Sequence, residues 1–142
     1  MSGKARELLR WSLVAGAGYF LFTACSPLIG LRLPMAFSGQ ISEPLAHQGA
    51  LLSLINLAWA LALLAALASL RHPTQPVLRC VLLGGAAAVV AMSLGNVALA
   101  AGPAAPGLDL AGQWPPLALL AAYMGWLSYL RRRLLPLPAR RG

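Results

Sequence analysis

Polar side chains deep within the apolar stretches of this sequence are few, and six of the seven singled out here come in pairs. Each pair is spaced three residues apart, which places both members on one face of an α-helix. The pairs are Thr23 with Ser26, Ser53 with Asn56, and Ser93 with Asn96, and the seventh residue is Tyr123 in the last apolar stretch. Because polar groups inside membrane helices are rare and often functional, these seven residues are the candidate ligand-binding residues.

Two interpretations of these residues remain open. In the first, they join neighbouring helices through hydrogen bonds that contribute about 0.6 kcal/mol each on average in membrane proteins. In the second, they line a pocket in the outer half of a helix bundle and orient a small or lipid-like ligand. Counting helix rise from the outer ends of the helices places Thr23, Asn56, Ser93 and Tyr123 at one common depth of about 12 Å.

Two stripes of small residues accompany the polar pairs and favour close contact between helices. One stripe contains Gly49, Ser53, Asn56 and Ala60, and the other contains Gly84, Ala88, Ala91 and Gly95.

The remaining reactive side chains are too few and too scattered to support catalysis. Nothing forms a Ser-His-Asp or Cys-His arrangement, and Cys25 and Cys80 are expected near opposite membrane surfaces, beyond the reach of a disulfide. His47 and His72 fall on opposite sides, whereas a bundle haem needs paired ligands. Glu43 and His47 lack the further ligands that a metal requires. We therefore expect no enzymatic activity by this chain alone, no metal and no cofactor.

The elements that position these residues are predicted to be transmembrane helices. Charged residues make up 10% of the 142 residues and apolar residues 59%, with a mean hydropathy of +0.73, whereas soluble domains are about 25% charged. Four stretches approach the roughly 20 residues that cross a bilayer, at about 11–31, 48–70, 80–101 and 115–132. The sequence predicts an all-α fold, a single domain over residues 1–142 formed by an antiparallel bundle of four transmembrane helices.

The distribution of basic residues predicts the orientation of the bundle. Ten of the eleven Lys and Arg residues fall in the N-terminal segment, the second loop and the C-terminal tail, and Arg32 alone falls on the other side. Short loops rich in Lys and Arg remain in the cytoplasm, so both termini are expected there. Because these residues flank apolar stretches, their expected partners are membrane lipids and not nucleic acid.

The first 25 residues also allow a different interpretation. A basic start, an apolar run and the sequence Phe22-Thr23-Ala24-Cys25 resemble a bacterial lipoprotein signal, in which Cys25 would carry the lipid anchor. The residues after Cys25 stay apolar, however, which favours an uncleaved transmembrane helix.

In length and helix count the whole chain resembles the DoxX-like group of small four-helix bacterial membrane proteins. That resemblance implies an accessory membrane subunit of an oxidoreductase or stress-response system, and it implies no site residues. We expect a non-catalytic protein of the bacterial inner membrane that associates with a membrane protein partner or with its own copies. The alternatives are a small-molecule or lipid binding or transport protein, and a lipoprotein anchored through Cys25.

Overall fold

A computed structural model describes residues 2–26, 46–71, 75–101 and 114–134. Within these residues all regular structure is helical. Helix α1 comprises Ser2–Cys25, and α2 comprises Ala46–Ala68 and continues as a 3-10 turn over Ser69–Arg71. Helix α3 comprises Pro76–Ala101 and α4 comprises Trp114–Leu134. For the described residues, the prediction of an all-helical fold with four α-helices is confirmed.

Three of the four helices are long and apolar enough to cross a membrane. The qualifying segments are Gly3–Cys25 in α1, Ser53–Arg71 at the end of α2, and Pro76–Ala98 in α3. Helix α4 has 21 residues, and its last turn carries Arg131, Arg132 and Arg133. Basic side chains at a helix C-terminus interact favourably with the helix dipole.

Contacts along the helices show that neighbours in the chain run antiparallel. Arg6 at the start of α1 donates a hydrogen bond to the Leu70 carbonyl beyond the end of α2 (3.2 Å), and Phe20 further along α1 stacks on Trp59. Helix α4 closes the bundle by packing against both α3 and α1. The four helices therefore form a ring in chain order.

Helix α1 differs from the predicted span at both ends. It begins at Ser2, well before the apolar run, and it ends at Cys25. Lys, Arg and Glu are good helix formers, so the helix includes the charged N-terminal segment that hydropathy places outside the membrane. At the other end, residue 27 is proline, which has no backbone N–H and disfavours a helical residue before it. The predicted continuation over 27–31 lies outside the described residues.

The core is aliphatic, and the outer surface is aliphatic as well. Leu9, Leu13, Leu63, Leu78 and Leu127 are fully buried between the helices. Large apolar side chains also cover the outside, for example Leu61, Leu83 and Leu94, each more than half exposed. A soluble protein rarely exposes so large an apolar surface, which fits a bundle surrounded by lipid.

Several sequence predictions fall outside the described residues. These are the loop residues Arg32, Glu43, His72 and Asp109, the side chain of His47, and the arginines at 140 and 141. The surroundings of Gly49, in the first small-residue stripe, are also outside the described part of the chain.

Candidate functional site

Close contacts around Gly16 define a common level across the bundle. A Cβ added at Gly16 would overlap the Tyr123 hydroxyl of α4 and would lie 3.2 Å from a methyl group of Leu63 in α2. A Cβ added at Gly85 of α3 would likewise overlap the side chain of Met124, the residue after Tyr123 in α4. These contacts fix the register of all four helices relative to one another.

Counted from this level, the three polar pairs lie at two matching heights. Thr23, Asn56 and Ser93 are seven or eight residues from Gly16, Leu63 and Gly85 respectively, which is about 10–12 Å of helix rise. Ser26, Ser53 and Asn96 lie one further turn along. Thr23, Ser26, Asn56 and Asn96 are all buried, with exposed fractions of 4% to 9%, and Ser53 and Ser93 are partly buried. The pairs thus face the bundle and share one end of it.

The hydroxyl groups of the pairs bond to their own helices. Thr23 donates to the Phe20 carbonyl (2.9 Å), Ser26 to the Thr23 carbonyl (2.9 Å) and Ser93 to the Val89 carbonyl (2.8 Å). Such bonds to the preceding turn are common for Ser and Thr within helices. These three donors are therefore used locally, and their oxygens keep a lone pair free to accept.

The bond from Ser26 has a specific cause in the sequence. In a continuing helix, the Thr23 carbonyl would accept the backbone N–H of residue 27, four positions later. Residue 27 is proline and has no N–H. The Ser26 hydroxyl supplies the missing donor, so this residue completes the end of α1.

The two buried amides do not bond to each other. No hydrogen bond joins Asn56 and Asn96, which both belong to the described part of the chain. Asn56 lies on α2 beside the α1 turn that carries Thr23, because the Phe20–Trp59 stack aligns these two helices (ring centroids 6.1 Å apart). The amides are the strongest hydrogen-bonding groups at this end of the bundle, with up to two donors and two acceptor lone pairs each.

Tyr123 is placed at a different depth from the other candidates. Its hydroxyl donates to the Ser12 carbonyl on α1 (2.9 Å), and Trp126 Nε1 donates to the Ser12 hydroxyl (2.9 Å). Ser12 and Thr23 are eleven residues apart on one helix, about 16 Å by helix rise. The expected common depth of Tyr123, Thr23, Asn56 and Ser93 is therefore wrong for Tyr123, because its depth was counted from the start of α4 without a register to α1.

Sequence reasoning did not identify Ser12 and Gly16 as a junction between α1 and α4. Gly16 leaves room for the Tyr123 ring, and Ser12 accepts hydrogen bonds from two aromatic residues. The available signal was the spacing of Ser12 and Gly16, four residues apart on one helix face. The two hydrogen-bond partners of Ser12 are 111 and 114 residues away in sequence. No local sequence pattern reveals such a distant pairing.

An apolar groove of about 440 Å³ separates α2 from α3 on the outer surface. Its walls are Ile55, Ala58, Trp59 and Ala62 from α2, and Val77, Cys80 and Val81 from α3. None of the seven polar candidates lines this groove. A second cavity of about 230 Å³ lies between α1 and α4, where Gly16, Phe20, Pro116 and Tyr123 form part of its wall.

The two small-residue stripes face different surroundings. On α2, Asn56 and Ala60 are buried within the bundle. On α3, Gly84, Ala91 and Gly95 are exposed. A Cβ added at Gly95 would meet no atom within 4 Å, and one at Gly84 would meet only Trp59, at 3.9 Å. Among the described residues, no close contact therefore requires glycine at position 84 or 95 of α3.

Both cysteines carry free thiols and are exposed on the bundle surface. Cys25 is the last residue of α1, and Cys80 lies in the second turn of α3. Among the residues that the structure describes, no group of three or more His, Cys, Asp or Glu side chains could hold a metal ion.

Comparison with known proteins adds no relative. No family model matches the chain, and no curated protein and no solved structure is significantly similar to it.

Proposed function

We propose that the chain is a multi-pass protein of the bacterial inner membrane, with four spans and both termini in the cytoplasm. Three helices have the length and apolarity of spans. Helix α4 packs along α1 at Ser12 and Gly16 and along α3 at Gly85, so it lies at the same depth as two of these helices. The basic residues at one end of the bundle support the orientation, and the Ala-, Leu-, Arg-, Gly- and Pro-rich composition supports a bacterial origin.

Within that membrane, the chain acts as a non-catalytic accessory subunit that binds another membrane helix. The observation that carries this proposal is the open small-residue stripe of α3 beside the α2–α3 groove. Membrane helices associate where small residues let their backbones approach closely. The stripe of α2 is buried at Asn56 and Ala60, whereas the stripe of α3 is open at Gly84, Ala91 and Gly95 among the described residues, so it is available to a second protein.

Burial along the helices agrees with this assignment. In the most apolar part of α3, 17% of the residues are buried, compared with 39% in α1. Helix α3 therefore offers the larger free surface for association. The resemblance to DoxX-like proteins is compatible with an accessory role beside an oxidoreductase or stress-response protein.

The direct test is purification in a mild detergent, followed by identification of any stoichiometric partner. Ala91→Leu places a bulky side chain on the α3 stripe, and Ala86→Leu places the same side chain on an exposed position outside it. Ala91→Leu should reduce recovery of the partner, or of a homo-oligomer, by about tenfold, which corresponds to about 1.4 kcal/mol of binding energy. Ala86→Leu should leave recovery unchanged. Equal recovery with both variants, or a monomer without partner, would refute association through this stripe.

The second candidate function is binding or transport of a small molecule or lipid. Its support is the set of buried Asn and Ser side chains that face one end of the bundle at matching heights. A pocket open to the outside predicts that cysteines placed at Ser53, Asn56, Ser93 and Asn96 in a Cys-free background react with an impermeant thiol reagent. Cysteines at Leu54 and Leu94, which are 61% and 65% exposed on the outer surface of the bundle, should react much less. Equal protection at all six positions would exclude the pocket.

The lipoprotein alternative is separated from both by the mass of the intact protein. An uncleaved, unmodified chain has a mass of 14.8 kDa. A shorter chain that begins at Cys25 and carries acyl groups would establish the lipoprotein instead.

A further inference from the structure

One arginine from α3 and one from α4 lie at the end of the bundle where α3 begins and α4 ends. Arg79 lies in the first turn of α3, where its backbone N–H donates to the Gln75 carbonyl (3.1 Å). Arg131 lies in the last turn of α4. The two helices run antiparallel and pack closely where Gly85 of α3 faces Met124 of α4. Arg79 is six residues before Gly85 and Arg131 is seven residues after Met124, so both lie about 9–11 Å from this contact by helix rise. At this level the positive charge of Arg79 acts on Arg131.

Arg131 also has a donor that meets no acceptor in the part of the chain that the structure describes. Its Nε is buried and forms no hydrogen bond with these residues. Buried polar groups in proteins are almost always hydrogen-bonded, and an exception calls for an explanation such as a bound ion. The only carboxylate side chain among the described residues is that of Glu7, an exposed residue on α1.

Gln75 is a second unsatisfied residue on the same turn as Arg79. It is 8% exposed, and its Oε1 atom has no hydrogen-bond partner. Its backbone has a positive φ of 43°, a conformation that costs free energy in a residue other than glycine. The first turn of α3 also contributes the positive end of a helix dipole.

We propose that Arg79 and Arg131 form a binding site for a phosphoryl group, with Gln75 at its edge. A phosphoryl group offers several anionic oxygens, which can accept hydrogen bonds from both guanidinium groups and offset their mutual repulsion. Gln75 Oε1 accepts a hydrogen bond from a hydroxyl or ammonium group carried by the same ligand. The phosphoryl group comes either from an anionic phospholipid headgroup or from a soluble phosphate. This site goes beyond the proposed function, because it needs no protein partner.

The test uses the full chain in maltoside micelles, whose headgroups carry no phosphoryl group, and measures its unfolding temperature by tryptophan fluorescence. Micelles alone are compared with micelles that also contain phosphatidylglycerol, and with micelles in inorganic phosphate. Stabilisation by phosphatidylglycerol alone identifies the headgroup as the source, and stabilisation by inorganic phosphate identifies a soluble ligand. Stabilisation by neither would overturn the proposal.

Three single-charge variants separate a site from general attraction between a basic protein and an anionic membrane. Arg79→Gln and Arg131→Gln should each weaken binding of the stabilising probe by about tenfold or more, the scale of a hydrogen bond to a charged group. Arg132→Gln removes the same charge from an exposed neighbour of Arg131 and should retain binding. Equal losses in all three variants would mean diffuse attraction and no site.

The unfolding temperature without the probe excludes a purely structural role for Arg79. Because Arg79 repels Arg131, Arg79→Gln should unfold at the same temperature as the original chain or higher in micelles without the probe. Arg79→Lys keeps the charge but loses the planar guanidinium group with its several donors. Its affinity for the probe should lie between those of the original chain and Arg79→Gln. A marked loss of stability in Arg79→Gln without the probe would contradict the repulsive pair on which the site is based.

Discussion

The packing of α1 against α4 depends on the absence of a side chain at Gly16, because Tyr123 occupies that space. An added Cβ would overlap the Tyr123 hydroxyl, which donates to the Ser12 carbonyl. We expect Gly16→Ala to lower the free energy of unfolding in micelles by about 1–3 kcal/mol, the usual cost of overpacking. Gly18→Ala, where a Cβ meets nothing within 4 Å, should be neutral or slightly stabilising because alanine favours helix.

The double variant identifies the cause of the loss at Gly16. Tyr123→Phe removes the hydroxyl that the new methyl group would overlap, so Gly16→Ala should cost less in that background than alone. Residues in contact show such non-additivity. Equal costs in both backgrounds would mean that the methyl group disturbs something other than the Tyr123 hydroxyl.

The buried amides give a second prediction at this scale. Asn56→Leu and Asn96→Leu should each change the free energy of unfolding by about 1 kcal/mol, the scale of polar contacts in membranes. Since no hydrogen bond joins the two described side chains, their effects should add to within about 0.5 kcal/mol. A double-mutant cycle measures this directly, and a larger coupling would indicate a shared bond or a shared ligand.

At the scale of the helices, the sequence predicts the existence and number of the helices better than the residues at which they begin and end. The apolar runs identify all four helices, because an apolar run of this length rarely forms any structure other than a membrane helix. Hydropathy reports where a helix meets lipid and not where it begins, so the start of α1 at Ser2 precedes its apolar run. Helix α1 ends at Cys25, two residues before a proline that disfavours further helix.

The candidate site was predictable in part. Residues three apart lie on one face of any helix, so the sequence alone predicts that the members of each pair share a face. In the structure these faces are directed toward the bundle. The depth of Tyr123 was not predictable, because the sequence does not contain the vertical offset of α4 against α1. That offset is set by Gly16, Ser12 and the aromatic residues that pack on them, which are contacts between distant parts of the chain.

The two cysteines test the placement of α1 and α3 in the membrane. Cys80 follows Arg79 in the first turns of α3, at the basic end of the bundle, whereas Cys25 is the last residue of α1, at the opposite end. In the proposed topology, Cys80 is at a position more accessible to water than Cys25. A membrane-permeant thiol reagent should therefore label Cys80 faster than Cys25, as measured by mass in Cys25→Ser and Cys80→Ser single variants. Faster labelling of Cys25 would contradict the proposed depths.

At the scale of the whole molecule, the ring of antiparallel helices links the number of spans to the position of the termini. In the topology that we propose, α4 crosses the membrane together with α1 and α3, because it packs against both of them. In that topology the first residues of α1 and the last turn of α4 lie on one side. That side carries Lys4, Arg6, Arg10 and the arginines of α4, as the rule for short basic segments requires of the cytoplasm.

Reporter fusions test this arrangement in living cells. After Gly142, a reporter that is active only in the cytoplasm should be active, and a reporter that is active only outside should be inactive. Near Pro106, the two reporters should give the opposite results. The physical reason is the cost of moving several arginines across the apolar core, about 2.5–3.5 kcal/mol each even on scales based on insertion by the cell. An outside C-terminus would mean that α4 does not cross with α1 and α3, and the contacts of Tyr123 and Trp126 with Ser12 could then not form in the membrane.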